Sequence, residues 1–309
     1  MKYRKLGNTG LDLSTLSYGA SSLGSVFKEI NETEGIKTVH TALDLGINFI
    51  DVSPYYGLTK AETVLGRALK AIPRDRYYLS TKAGRLAENE FDFSQKSIMN
   101  SLEESLQRLG TDYVDILLLH DIEFGSYDQV INEGIPALQK LKEQGKIRFF
   151  GVSGLPLSIF DKVLEKTDLD VILSYCHYSL NDTSLVSRIP LLEKKQVGLI
   201  NAAPLSMGLL NTRPVADWHP ASKEVKQTCK KAAEFCVEHG VDIAKLAIQF
   251  SVQHEQIPTT LVSTSSTQNI TRNVQWATET IDENLLQEVR TILEPIHNET
   301  WASGNDEWK

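Results

Sequence analysis

Residues 47–57 read INFIDVSPYYG: an apolar, β-prone run stops on Asp51, turns through Pro54, and delivers Tyr55 and Tyr56 before Gly57. A strand that reads as buried has no use for a terminal carboxylate unless strand ends are where the protein does its chemistry. Which fold opens the end of a buried strand in this way decides everything that follows.

Runs of the same kind recur. STLSYGAS (14–21), INFIDVS (47–53), YYLSTK (77–82), YVDILLLHD (113–121), IRFFGVSG (147–154), DVILSYC (170–176), VGLINAAP (197–204) and TTLVSTSS (259–266) all read as strands. Amphipathic stretches of helical period lie between them, at 33–45, 60–69, 94–109, 130–143, 157–166 and 184–195. Asn31 with Glu34 three residues on resembles a capping box, and Gly46, Gly110 and Gly145 stand where helices should stop. Most of the strands lack a polar alternation, so both faces should be buried, as in a parallel sheet sheathed by helices. Eight βα units favour closure into an α/β (β/α)8 TIM barrel over an open doubly wound sheet. YRKLGNTGLDLS (3–14) places turn residues between two short apolar flanks and predicts an N-terminal hairpin at the barrel's base. Two extra helices, 222–238 and 282–293, exceed the eightfold count. With no linker, repeat or low-complexity tract, residues 1–309 are expected to form a single domain.

In a TIM barrel the catalytic groups project from the carboxyl ends of the strands. Asp51, Lys82 and His120 then share one rim, and Tyr56, on the loop after the second strand, can fold back over the same mouth. Taken singly, each is more easily an ion pair or a cap; four converging on one rim are not. A phenol is a poor acid or base at neutral pH unless a cation stabilises its phenolate. Lys82 can supply that charge, Asp51 can hold the ammonium, and His120 can donate to a substrate oxygen. The set suits proton transfer at a carbonyl or carbinol oxygen, and a coupled hydride transfer would need a nicotinamide.

Composition narrows the partners. A net charge of -8 without a basic cluster disfavours nucleic acid. No apolar run approaches the roughly 18 residues of a membrane span, and the amino terminus lacks a secretory apolar core, so a cytoplasmic protein is expected. Cys176, Cys229 and Cys236 form no C-x-x-C pair and should be packed thiols. Neither G-x-G-x-x-G after a strand nor a phosphate-binding G-x-x-x-x-G-K-[ST] loop occurs, so a dinucleotide must be held another way. The small hydroxyl-rich strand ends GVSG (151–154), APLSMGLL (203–210) and STSSTQNITRN (263–273) are candidates, the last because it opens a helix whose amino terminus favours phosphate.

Together DVSPYYG, LSTK, LLLHD, GVSG and the serine-rich turn ending in Arg272 and Asn273 resemble the aldo-keto reductases across nearly the whole chain. That family is a TIM barrel binding extended NAD(P), and its catalytic tetrad falls on Asp51, Tyr56, Lys82 and His120. The resemblance puts cofactor contacts at Gly19, Ala20, Ser153, Tyr175, Pro204, Leu205, Ser206, Gly208, Ser263, Thr264, Ser266, Asn269 and Asn273. Longer segments, such as SPYYGLTKAETVLGRALK (53–70), HDIEFGSYDQVI (120–131) and ADWHPAS (216–222), resemble the branch that oxidises the anomeric carbon of an aldose such as L-galactose to a lactone with NAD. Neutral Ser263 and Asn269 stand where NADP users of the family carry cations, which implies NAD in preference to NADP. Two positions depart from the family: Gly154 replaces an asparagine, and Tyr175 occupies the region of a glutamine that floors the nicotinamide.

Rival readings are a general aldehyde or ketone reductase and a non-enzymatic binding subunit on the same fold. A metal-dependent barrel hydrolase lacks the clustered histidines it would need on the first strand, so no metal is expected. The partner is therefore a small sugar or aldehyde, with no nucleic acid and no membrane; a monomer is compatible with the sequence.

Overall fold

The computed structural model describes residues 1–26 and 29–308. Eight strands close into a barrel: β1 (Leu16–Gly19), β2 (Phe49–Asp51), β3 (Tyr78–Ala83), β4 (Val114–Leu119), β5 (Ile147–Gly154), β6 (Val171–Tyr175), β7 (Gly198–Ala202) and β8 (Thr259–Ser263). Each pairs in parallel with the next, and β8 returns to β1 with Leu261 opposite Ser17. The burial pattern explains the parallel order, since all six residues of β4 are buried and only covered sheets allow that.

The expected hairpin forms from Tyr3–Lys5 and Asp12–Ser14 in antiparallel register. Its Leu6, Leu11 and Leu13 pack with Phe49, Ile116, Leu118, Val171, Leu173, Ile200 and Leu261, so the hairpin plugs the barrel interior. A second apolar layer joins the outer strand faces to the helices.

The helical layer comprises α1 (Glu32–Asp44), α2 (Lys60–Leu69), α3 (Gln95–Leu109), α4 (Ile135–Glu143), α5 (Leu157–Leu164), α6 (Ile189–Lys195), α7 (Lys223–Glu238), α8 (Ile243–Gln253), α9 (Thr267–Thr278) and α10 (Glu283–Leu293). The two extra helices are α7 and α10, which share one apolar cluster outside the barrel layer. Asn31, Ser94 and Asp282 cap their helices through side-chain oxygens that accept backbone N–H groups.

The structure alters three details. The stretch 130–143 is not one helix: residues 130–134 form a π turn and the α-helix begins at Ile135, with Pro136 in its first turn. Proline has no N–H to give, so it belongs at a helix start. For the same reason 184–188 is a 3-10 turn and α6 begins just before Pro190. The helix α8 escaped the periodicity reading because Ile243, Leu246, Ala247, Ile248, Gln249, Ser251 and Val252 are all buried, leaving little of a polar face.

Candidate active site

Asp51 is the last residue of β2, Lys82 lies one residue from the end of β3, and His120 follows β4 directly. Only 4%, 1% and 4% of these residues is exposed. Lys82 Nζ donates to Asp51 Oδ2 at 2.5 Å and to the Val52 carbonyl at 3.0 Å. The ammonium lies 5.0 Å from the centroid of the Tyr56 ring, and that ring meets His120 edge-on at 5.7 Å. The loop bearing Tyr56 is pressed against the turn after β1. A Cβ on Gly24 would lie 2.5 Å from the Tyr56 carbonyl oxygen, and one on Gly57, at φ +63°, 2.0 Å from the Gly24 carbonyl oxygen. Glycine at both places lets the loop close over the rim.

Burial pushes the Asp51 carboxyl above its ordinary value, against the pull of Lys82 and Ser80. Ser80 faces Asp51 across the β2–β3 register, yet Asp51 Oδ1 and the Ser80 hydroxyl stop short of hydrogen-bond geometry. For Lys82, burial works against the ammonium, but Asp51 and Tyr56 outweigh it and raise the pKa, so the group stays cationic at neutral pH. The Tyr56 phenol is raised by burial, with Lys82 opposing and Asp51 and Asp121 adding to the rise. The stabilisation of the phenolate expected from Lys82 is present but outweighed, because desolvation exceeds what the ammonium returns. The His120 imidazole is held well below its ordinary value by burial, Lys82 and Arg85, and is therefore neutral. A buried cation, a phenol beside it and a neutral imidazole across the ring can exchange a proton with an oxygen and hold that oxygen in place.

Four neighbours were not singled out from the sequence. Ser53 Oγ lies 2.9 Å from His120 Nδ1. Arg85 donates to the Asp121 carboxylate, stacks 3.7 Å above the Tyr55 ring, and so closes one side of the mouth. Asp121 adopts φ +51°, rare for a non-glycine residue, and its Oδ2 lies 3.7 Å from His120 Nε2. Glu123 is fully buried; its Oε1 accepts from the Leu155 amide at 2.9 Å and Ser303 Oγ at 3.0 Å, while Oε2 has no partner among the described residues. Burial, with the charge of Asp121, pushes Glu123 up to about 8. A Cβ at residue 154 would lie 2.3 Å from Glu123 Oε2, so Gly154 clears the volume this carboxyl fills. The signal was present in HDIEF, beside His120, and in Arg85, three residues after Lys82.

The expected cofactor residues lie along the rim from β5 through β8 to β1. Gly19 ends β1 and Ala20 starts the buried turn after it. Ser153 Oγ bridges β4 and β5, donating to the Leu119 carbonyl and accepting from the Asp121 amide, both at 3.3 Å. Tyr175 is half-buried at the end of β6, its phenol raised well above the ordinary value by burial and then by Asp121 and Glu123. After β7, Ala203, Ser206 and Met207 hold φ of +55°, +48° and +55° beside Gly208, a run of left-handed backbone characteristic of binding turns. Pro204 is buried and Leu205 half-buried in the same turn.

Ser206 departs from expectation. Its hydroxyl is engaged inward, donating to Asn181 Oδ1 at 2.7 Å and lying 3.1 Å from Ser179 Oγ, so the side chain is not free to meet a ligand. Buried His219 sits within reach of the Ser206 carbonyl, at 3.1 Å. After β8, Ser263 Oγ accepts from the Ser22 amide at 2.9 Å and from Ser21 Oγ at 2.9 Å, tying the β8 and β1 loops together. The Thr264 carbonyl accepts from Tyr18 Oη at 2.7 Å. Ser266 caps α9, which carries Asn269 and, one turn on, Asn273. Arg272 Nη2 donates to Asn269 Oδ1 at 2.9 Å, its guanidinium 5.2 Å above Trp276. Glu34 reaches across from α1, its Oε1 accepting from Thr267 N at 3.0 Å and Thr267 Oγ1 at 2.7 Å. A strained backbone turn at one end and a capped helix start at the other fit an extended dinucleotide running away from the tetrad. Among the described residues no three His, Cys, Asp or Glu side chains cluster to hold a metal, and no helix is long and apolar enough to cross a membrane.

Residues 15–294 match the Aldo/keto reductase family. The chain is 50% identical to L-galactose dehydrogenase of Arabidopsis thaliana, over 98% of each sequence. It is 34% identical to D-arabinose 1-dehydrogenase of Saccharomyces cerevisiae, over 78% of this chain and 75% of that one. The solved holo form of an aldo-keto reductase from Bacillus halodurans superposes with a TM-score of 0.80 at 27% identity, covering 100% of both chains.

Proposed function

Because the chain belongs to the aldo/keto reductase family, and is thereby an oxidoreductase using a nicotinamide cofactor, we propose that it oxidises the anomeric carbon of L-galactose or a closely related aldose to the lactone. One observation carries the reaction: the buried Lys82 ammonium, held by Asp51, faces the Tyr56 ring, with neutral His120 against the same ring. The sugar is supported by the 50% identity to a protein named L-galactose dehydrogenase.

In this reading the anomeric hydroxyl gives its proton to the deprotonated Tyr56 oxygen, which becomes the neutral phenol, while the C1–H electron pair leaves as hydride and C1 gains a double bond to its oxygen. The ring oxygen stays bonded to C1, so the product is a lactone. Lys82 offsets part of the cost of the phenolate, Asp51 holds Lys82, and His120 donates to the reacting oxygen. When bound in its oxidised form, a nicotinamide would supply the hydride acceptor. In the reverse direction Tyr56 is the acid, which suits its raised pKa.

We further read the cofactor as NAD. The two positions where NADP users carry cations are Ser263 and Asn269, and a 2'-phosphate there would forgo charge-assisted hydrogen bonds worth roughly 1.5 to 3 kcal/mol each. Glu34 adds a carboxylate at the start of α9, where that phosphate would otherwise find backbone donors. Arg272 is the nearby cation that opposes this, but its guanidinium is engaged with Asn269 and Trp276. The three cysteines, all buried and unpaired, suit a reducing cytoplasm.

Initial rates with L-galactose, other aldoses and simple aldehydes, each with both cofactors, test the proposal. Aldose oxidation with NAD is expected to dominate, with a lactone as product. Much faster reduction of small aldehydes would replace it with a general carbonyl reductase.

A further inference from the structure

The turn between β2 and Tyr56 contains a buried hydroxyl that the reaction scheme does not yet use. Ser53 is fully buried. Its Oγ accepts from the Tyr55 amide at 3.1 Å and lies 2.9 Å from His120 Nδ1. Among the described residues these are the two hydrogen bonds of that hydroxyl.

A serine hydroxyl has one proton to give and two lone pairs to receive with. The Tyr55 N–H takes one lone pair. If His120 carried its proton on Nδ1, that N–H would take the other, and the serine proton would point into a dry pocket without an acceptor, at the cost of an unmade buried hydrogen bond. If Nδ1 is bare, the serine proton goes to it, and the serine proton and both hydrogen-bond partners of the hydroxyl are accounted for. A neutral imidazole has one proton, which then resides on Nε2. That nitrogen lies 3.7 Å from Asp121 Oδ2, beyond hydrogen-bond distance, and is left to donate elsewhere.

We propose that Ser53 is a positioning residue that locks His120 in its Nε2–H tautomer, so that the imidazole meets the reacting oxygen as a donor. The opposite tautomer would present a lone pair to an oxygen that gathers negative charge during proton transfer, a repulsive contact. Pro54 follows Ser53 and is itself followed by the Tyr55 amide that orients the hydroxyl, so the turn delivering Tyr56 also sets the state of its partner. The catalytic consequence rests on the reaction proposed above; the tautomer itself does not.

The test uses the full-length protein labelled with 15N-histidine, with His120 assigned by comparison with His120→Asn, in wild type, Ser53→Ala and Ser53→Thr. The wild type should show a proton on Nε2 and a hydrogen-bonded, unprotonated Nδ1. Ser53→Ala should lose that signature, and its kcat should fall roughly 10- to 100-fold, the scale seen when the partner that orients a metal-ligating histidine is removed, with KM little changed. Ser53→Thr, which keeps the hydroxyl, should restore both and guards against a simple folding defect. A wild-type proton on Nδ1, or a Ser53→Ala protein with unchanged tautomer and unchanged kcat, would overturn the inference. A wild type with the expected tautomer but no aldose turnover would instead sink the proposed substrate and leave the tautomer assignment standing.

Discussion

Asp115 and Asp51 are both strand aspartates sealed from solvent beside cations, one near the amino end of β4 and the other at the carboxyl end of β2. Asp115 is fully served: Oδ1 accepts from Arg148 at 2.7 Å, and Oδ2 from Arg74 at 2.7 Å and the Leu79 amide at 2.9 Å. Its arginines reach solvent and pay little for their charge, with side chains 21% and 45% exposed. Asp51 has a single cation that is itself only 1% exposed, and one of its carboxylate oxygens lacks a good partner. The same pairing chemistry, completed at the base, staples β3, β4 and β5; left incomplete and dry at the rim, it maintains a charge that can act on a neighbouring phenol.

The largest effect should come from the rim. Tyr56→Phe removes only a hydroxyl, so the melting temperature should hold, while kcat should fall by roughly 10² to 10⁴, the contribution of a positioned acid or base. Near wild-type turnover would remove Tyr56 from the scheme. At the base the pattern should invert. Asp115→Ala leaves two arginines facing a void and should cost about 3 kcal/mol, towards the low end for a broken buried pair because both cations reach water. Chemical denaturation should register that loss, with kcat per folded molecule near wild type; a kcat that collapses while stability holds would contradict the division of labour.

Glu123 sharpens the comparison as a buried carboxyl with no cation of its own in contact. Its pKa is up to about 8 in the folded protein against an ordinary 4.5. Below about pH 4.5 both states hold the proton; above it the unfolded chain releases it while the folded chain keeps it, so stability falls as pH rises towards about 8. Glu123→Gln should remove that slope and gain on the wild type by roughly 1 kcal/mol per pH unit across the window. Parallel stability–pH curves would show that the carboxyl is not protonated as described. The smallest effect concerns Glu34, a half-exposed carboxylate at the far end of the proposed cofactor path. Glu34→Gln should raise kcat/KM with NADP several-fold and tighten NADP binding measured by calorimetry, leaving NAD nearly unchanged. Equal changes with both cofactors would mean that Glu34 does not discriminate.

Much of the site was legible because strands and rims obey local rules. The apolar runs ending on Asp51, Lys82 and His120 announce themselves by composition, and parallel burial then places their ends together. Ser53 was visible in the same turn as Tyr56, yet nothing local connects it to His120, 67 residues on. The bond between Glu34 and Thr267 spans 233 residues. The inward turn of Ser206 and the net direction of the Tyr56 pKa likewise depend on what packs around them.

By itself the sequence determined the barrel, the hairpin plug, the two extra helices and the four residues at the rim, because periodicity and strand-end chemistry are properties of neighbours along the chain. Only the tertiary structure decided which carboxyls are satisfied and which are stranded, which carboxyl fills the space beside Gly154, and which nitrogen of His120 carries the proton. Those outcomes turn on desolvation and on hydrogen-bond counts among residues far apart in sequence, and both are fixed only when the barrel closes.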